Sequence, residues 1–206
     1  MKDYLQIGID KGIISFNETK SRITYVFQNK ERSFNTPEEK VQAETFLRLI
    51  FDYNYPEQRI RQFVPVTMGR EVKEADIIVY DDDNCVSPHI LVECKKQDVT
   101  ESEYQQAIEQ AYSYAFALPC EVKYVWVTSG IKSDYFEVDK SQNTRNQLPD
   151  IPQFGVENIA TYKYVYEANS IPQESGKQRF FDLAVIDQSE LTRRFKLAHD
   201  ALWGGG

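Results

Sequence analysis

No stretch of the 206-residue chain is long and apolar enough to cross a membrane. Met1-Lys2-Asp3-Tyr4 does not open onto the apolar core of a secretory leader. The expectation is a cytoplasmic protein with no membrane partner. Cysteine is scarce: Cys85, Cys94 and Cys120 are odd in number and widely spaced, which excludes a disulfide framework and a cysteine zinc site. The two histidines, His89 and His199, have no partner at catalytic or metal-binding spacing, so Ser-His and Cys-His chemistry falls away. None of the nine glycines builds a phosphate-cradling loop. Positive charge is also short, with 24 Lys and Arg against 32 Asp and Glu, a net charge of −8. A domain that bound nucleic acid unaided would be expected to be basic, because phosphate neutralisation supplies most non-specific affinity.

What is present is globular material. Hydrophobic content of 41%, with 13% aromatic, lets a chain of this length bury one core, with at most an appendage. Residues 4–9, 12–16 and 22–27 read as short strands, with Asp10-Lys11-Gly12 as a hairpin turn, and predict an N-terminal β-meander. Thr36-Pro37-Glu38-Glu39 opens a helix: Thr36 is its N-cap, Pro37 its first turn, and Glu39 stands at the capping-box position. Strands follow at Arg59–Val66, where Pro65 implies an edge or bulge, and at Glu74–Tyr80, with Gly69-Arg70-Glu71 turning between them. Asp81-Asp82-Asp83-Asn84 is a turn into the strand of Ile90-Leu91-Val92-Glu93. A helix over about Glu101–Ala117 and a buried strand at Val122–Thr128 then make a βαβ crossover with parallel strands. Tyr135–Val138 is a further short strand candidate. The expected class is α/β (α+β): a central mixed sheet flanked by helices.

The chemistry concentrates in Asp76 and Glu93-Cys94-Lys95. On a strand, residues two apart share a face, so Glu93 and Lys95 point one way and Cys94 the other. If the two strands pair, Asp76, Glu93 and Lys95 converge. A hard divalent cation such as Mg²⁺ needs one or two carboxylates and keeps several waters. It neutralises a phosphodiester and polarises a water, while a neighbouring ammonium stabilises the developing charge. The backbone carbonyl of Cys94 is a plausible additional ligand; its thiol is too soft and faces away. A solvated strand edge that happens to carry Glu and Lys is the bland alternative.

The pattern Asp76…Glu93-Cys94-Lys95 resembles the PD-(D/E)xK nuclease signature, with Ala75 where the motif's name has Pro. The context from Thr36 to Gly130, including Tyr53-Asn54-Tyr55-Pro56, Gln106–Tyr114 and Val127-Thr128-Ser129-Gly130, is similar to the N-terminal nuclease domain of type I restriction enzyme R subunits and related restriction–modification fusions. The resemblance implies a restriction-endonuclease-like core and a DNA endonuclease that uses Mg²⁺, with Mn²⁺ able to substitute. It implies double-stranded DNA as partner, together with methyltransferase and specificity subunits or fused domains. It also offers Glu39 as a first-helix carboxylate assisting the metal, against the plainer reading of Glu39 as a helix cap. Gln110, four before Tyr114, matches a Gln-x-x-x-Tyr element that supports such sites or contacts DNA, against the plainer reading of a solvated helix residue. A rival from another class is a non-catalytic DNA-binding or assembly module that keeps the fold; the acidic charge favours delivery of the duplex by other domains or subunits.

The organisation expected is a β-meander over 1–35, the nuclease core over 36–140, and a loop and helical extension over 141–206. Residues 141–155 have loop composition. Beyond them a strand at 162–166 and a helix over 188–203, carrying His199 in a packing or solvent role, would lead into a downstream methyltransferase or helicase domain.

Overall fold

The computed structural model describes residues 2–156; the strand expected at 162–166, the helix at 188–203 and His199 lie outside the described residues. The first element is a helix, α1 (Tyr4–Asp10), not the strand expected from its apolar run. So short a run cannot separate the two periods, but its ends do. Asp3 caps the start, accepting from the Gln6 amide at 3.0 Å. Asp10-Lys11-Gly12 is a helix stop rather than a hairpin turn. Gly12 takes φ +69°, its N–H donates to Ile9, and that of Ile13 donates to Gly8, a Schellman closure that needs a residue tolerant of left-handed backbone.

Strands β1 (Ile14–Phe16), β2 (Arg22–Tyr25) and β3 (Lys30–Ser33) then form a small antiparallel sheet in that order. Helix α2 (Pro37–Phe51) begins with the capping box: the Thr36 hydroxyl accepts from the Glu39 amide, and the Glu39 carboxylate accepts from Thr36. A short 3₁₀ turn (Glu57–Arg59) leads into β4 (Ile60–Met68), then β5 (Glu71–Tyr80), β6 (Pro88–Cys94), α3 (Glu101–Ala117), β7 (Tyr124–Thr128), β8 (Ser133–Asp139) and β9 (Thr144–Leu148). The six strands run in sequence order across one sheet. Only β6 and β7 pair in parallel, joined by the α3 crossover, and the other neighbours are antiparallel. Pro65 is accommodated because β4 is an edge strand, where a missing N–H is tolerated. Strand β9 corrects the loop expected at 141–155: Thr-Arg-Asn-Gln-Leu has no apolar alternation because it is the exposed opposite edge.

Alternate strand residues face opposite layers. On one side Ile77, Val79, Ile90, Val92, Cys94 and Trp126 pack against Phe46 and Leu47 of α2, and Ile14, Ile23 and Tyr25 of the small sheet join them. On the other, Ile78, Leu91, Val125 and Val127 pack against Tyr104, Ala107, Ile108 and Ala111 of α3. Helix α1 lies against α2 at Gly8, where an added Cβ would stand 2.8 Å from Leu47 Cδ2 and 3.0 Å from Ile14 Cγ1. Gly8→Val therefore forces overpacking between fully buried neighbours. Urea denaturation should show a loss of ~1–3 kcal/mol, the range for inserting bulk into a packed core.

Candidate active site

The β4–β5 ladder has one gap. Gln62 pairs with Ile77 and Val64 with Ala75, but the rung between them, Phe63 opposite Asp76, is not made. Phe63 sits at φ +54°, strained for a bulky side chain. Across it the strand changes faces: Ile60 belongs to the α2-side core, whereas Val66 belongs to the α3 side. The backbone groups freed at this rung are taken up elsewhere. Gln42 of α2, only 4% exposed, donates its Nε2 to the Asp76 carbonyl at 3.0 Å. Asp76 thus lies within a strand, four residues before the Tyr80 end of β5, which begins at Glu71, earlier than the Glu74 expected.

From the other side β6 fixes its partners. The pairing Ile77↔Val92 sets Asp76 beside Glu93. The Cys94 N–H donates to Asp76 Oδ2 at 2.7 Å, which ties the carboxylate to the neighbouring strand. Lys95 extends the parallel ladder one residue past β6, its N–H donating to the Thr128 carbonyl at 2.8 Å. The Lys95 Nζ then reaches back to Glu93 Oε1 at 2.9 Å, and Glu38 Oε1 of α2 stands 3.8 Å away. Asp76, Glu93 and Lys95 are thus brought together as their spacing implied. The Cys94 side chain is fully buried on the α2 side, where burial pushes its thiol well up.

Glu93 is 2% exposed, and its Oε2 is buried without a hydrogen-bond partner. Burial raises its carboxyl above the ordinary range despite the attraction of Lys95. Asp76 is raised further, first by burial and then by the like charge of Glu93, against the Cys94 amide. Burial would lower the Lys95 ammonium, but the charge of Glu93 and its hydrogen bond outweigh that and hold it above its usual value. Two carboxylates with one ammonium and one orphaned oxygen leave a negative excess, which suits a cation. No group of three or more His, Cys, Asp or Glu is poised as a metal cage among the described residues. Two carboxylates plus waters meet the ordinary requirement of Mg²⁺ all the same, so the donor set fits a hard divalent ion at Asp76 and Glu93.

Glu39 is not among them. Its Oε2 accepts from the amides of Asn35 (2.7 Å) and Thr36 (2.8 Å), and these bonds hold its carboxyl low against the effect of burial. A carboxylate committed to the capping box is withdrawn from the site, and its neighbour Glu38, free of the cap, points at Lys95. The signal was in the capping pattern itself, which uses the third helical residue and leaves the second available. Gln110 does face the site: with Glu38, Lys95, Lys96, Glu103 and Gln106 it lines a cleft of about 230 Å³. Its Nε2 donates to Tyr114 Oη at 2.7 Å, joining the two residues of the Gln-x-x-x-Tyr element. Gln42 and Phe63, which shape the backbone at Asp76, carried no sequence signal. His89 lies at the other end of β6, its Nδ1 3.1 Å from Asp81, in a separate groove.

The architecture is α+β, a mixed six-stranded sheet with α2 and α3 on opposite faces, and two acidic residues and a lysine meet at its broken rung. The chain belongs to the family of type I restriction enzyme R protein N termini (HSDR_N), whose match covers residues 37–152, from the start of α2 to just beyond β9. Among solved structures, a DUF820 protein from Anabaena variabilis ATCC 29413, described as a candidate nuclease, is similar at 13% identity. Its TM-score is 0.34, and the match covers 60% of this chain and 74% of that one. No curated protein matches the chain. No helix among the described residues is long and apolar enough to cross a membrane.

The raised carboxyls have a definite sign. Groups held above their unfolded values favour folding at low pH, and that contribution is lost as pH rises through the raised values. As pH rises, burial and their mutual proximity work against ionising Asp76 and Glu93 in the metal-free fold. Asp76→Asn keeps an oxygen for the Cys94 amide and removes one charge. In urea titrations with chelator it should be more stable than wild type at pH 7.5, read as a higher unfolding midpoint, with the gain shrinking toward pH 4.5.

Proposed function

We propose that the chain is a metal-dependent DNA endonuclease domain of a type I-like restriction–modification enzyme, hydrolysing phosphodiester bonds in double-stranded DNA. The observation that carries this reading is the buried, unpartnered Glu93 Oε2 beside Asp76, with Lys95 at 2.9 Å from the other Glu93 oxygen. A bound Mg²⁺ or Mn²⁺ would neutralise the phosphate and acidify a water. Asp76 and Glu93 are its protein ligands, and the Cys94 carbonyl is a third candidate. Lys95, held protonated by Glu93, orients the attacking water and offsets charge that develops on the phosphoryl oxygens. Glu38, one residue before the Glu39 first considered for the metal, holds Lys95 from the side of α2. Gln110 and Gln106 present amides to the phosphate backbone along the cleft. The partners proposed are DNA and the methyltransferase and specificity components of such a system, which would deliver the duplex to an acidic domain.

Plasmid cleavage tests the reading. With Mg²⁺ or Mn²⁺, wild type should nick supercoiled DNA and Asp76→Ala should not, while Lys95→Ala should slow cleavage ~10²–10³-fold, as when one transition-state donor is removed. Nicking that survives both substitutions would sink the assignment. A wild type that binds DNA but never cuts it would favour the docking-module alternative. The two first-turn carboxylates also separate. Glu38→Gln should reduce the rate roughly 10-fold, as for loss of a supporting group at a metal site. Glu39→Gln, which can still close the capping box, should cut at the wild-type rate.

A further inference from the structure

A chain with eight more acidic than basic residues places three cations around two aromatic rings beside the site. On β3, Lys30 and Arg32 are two apart, share one face, and pair with Tyr25 and Ile23, whose side chains enter the core. That face leans over Phe63. The Arg32 guanidinium lies 4.1 Å from the ring centroid and the Lys30 Nζ 5.4 Å. Arg61, two residues before Phe63, lies 5.9 Å from the ring of Phe27, which is 55% exposed.

These cations are held, but not neutralised. Lys30 Nζ donates to the Gln62 carbonyl at 2.7 Å, and Arg61 Nη1 donates to the carbonyls of Gln58 (2.8 Å) and Ile60 (3.0 Å). Neither forms an ion pair with a carboxylate among the described residues, and Arg32 has only Glu74, at 3.4 Å. Elsewhere Arg59, Lys132 and Arg145 each face a carboxylate at 2.9 Å or less. Lys30 is lowered by burial and then by the like charge of Arg32, with Glu74 opposing and Arg61 adding to the effect. Three cations fixed by carbonyls and rings, with guanidinium donors to spare, form a preorganised anion receptor. It adjoins the chemistry: Phe63 is the residue opposite Asp76 at the unmade rung, and the partner of Arg32, Glu74, is two residues before Asp76.

We propose that Lys30, Arg32 and Arg61, arrayed on the rings of Phe63 and Phe27, form a phosphate-binding ledge that seats the DNA backbone beside the carboxylates. The proposal rests on the nuclease reading and adds to it the surface that positions the duplex. The ledge concentrates positive charge where the strand must lie, while the acidic remainder of the surface limits binding elsewhere. Its phosphate contacts are indifferent to base sequence.

The test is fluorescence anisotropy with a labelled DNA duplex in chelator, where cutting cannot occur, over a series of salt concentrations. The Lys30→Gln/Arg61→Gln variant should bind about tenfold more weakly. Its plot of log K against log salt should be shallower by roughly 1.8, the value for two lost phosphate contacts. Lys123→Gln, three strands away from β4, should leave the slope unchanged. A double variant with the wild-type melting temperature and wild-type slope overturns the ledge, as does an equal change of slope in Lys123→Gln. A weaker affinity at constant slope overturns it too, since the cations would then act through packing. The two ideas fail separately: cleavage that survives Asp76→Ala strikes the nuclease site, whereas an unchanged slope in an enzyme that cuts strikes only the ledge.

Discussion

Everything at the site depends on the unmade rung between Phe63 and Asp76. A continuous ladder would place Asp76 as one more half-buried strand residue, its backbone spent on β4. Instead Phe63 turns to positive φ and the strand changes faces. The Asp76 carbonyl goes to Gln42, and its carboxylate to the Cys94 amide of the next strand. Strain at a bulky residue costs on the order of 1–3 kcal/mol and persists only where the surroundings overdetermine it. Here they do: the Phe63 ring packs near Tyr25 and carries the Arg32 guanidinium. The distortion is thus locked by the N-terminal sheet, which gives that small sheet a part in forming the site as well as in covering the core.

The same arrangement explains how like charges are held together. Two carboxylates crowded on adjacent strands would repel and strain the β5–β6 pairing. They are restrained by hydrogen bonds anchored on the backbone: the Cys94 amide donates to Asp76, and the Lys95 amide donates to the Thr128 carbonyl, which fixes the residue whose ammonium reaches back to Glu93. Groups held this way need little reorganisation when charge develops nearby, which is the property that makes preorganised sites effective. The parallel β6–β7 pair is therefore more than a crossover product. It supplies the acceptor that extends β6 by one residue and places Lys95.

How much of this was legible depends on period and on caps. Strand faces followed from alternation, so the meeting of Asp76, Glu93 and Lys95 could be read from spacing, and Thr36-x-x-Glu39 and Thr100-x-x-Glu103 mark both long helices by the same box. Errors arose where the local signal was short or absent. Seven residues of α1 were too few to separate helix from strand, although Asp3 and Gly12 stood at its ends. The polar β9 has no buried face to leave an alternation. Glu39 was left between metal assistance and capping, and its bonds to the Asn35 and Thr36 amides place it in the cap. The contribution of Phe63 is tertiary: nothing in Gln62-Phe63-Val64 announces a left-handed residue, which exists because of what packs around it.

Net charge, finally, is a poor guide to a domain of this kind when taken as a sum. Acidic residues at turns, such as Asp82, which accepts from the amides of Asn84, Val86 and Ser87, are consumed in local structure. Those at the site, Asp76 and Glu93, are buried against each other and against Lys95. Of the basic residues, Arg59, Lys132 and Arg145 are already matched by carboxylates. What remains to act at short range is a difference between two neighbouring patches, a pair of carboxylates and a trio of cations on either side of one broken rung. At an ionic strength near 0.15 M the screening length is about 8 Å, so a phosphate arriving there is governed by these near neighbours far more than by the −8 of the whole chain. An acidic protein can in this way present a locally positive approach to a negatively charged centre, and on the proposed reading the order of the two patches would set the direction from which a phosphodiester comes.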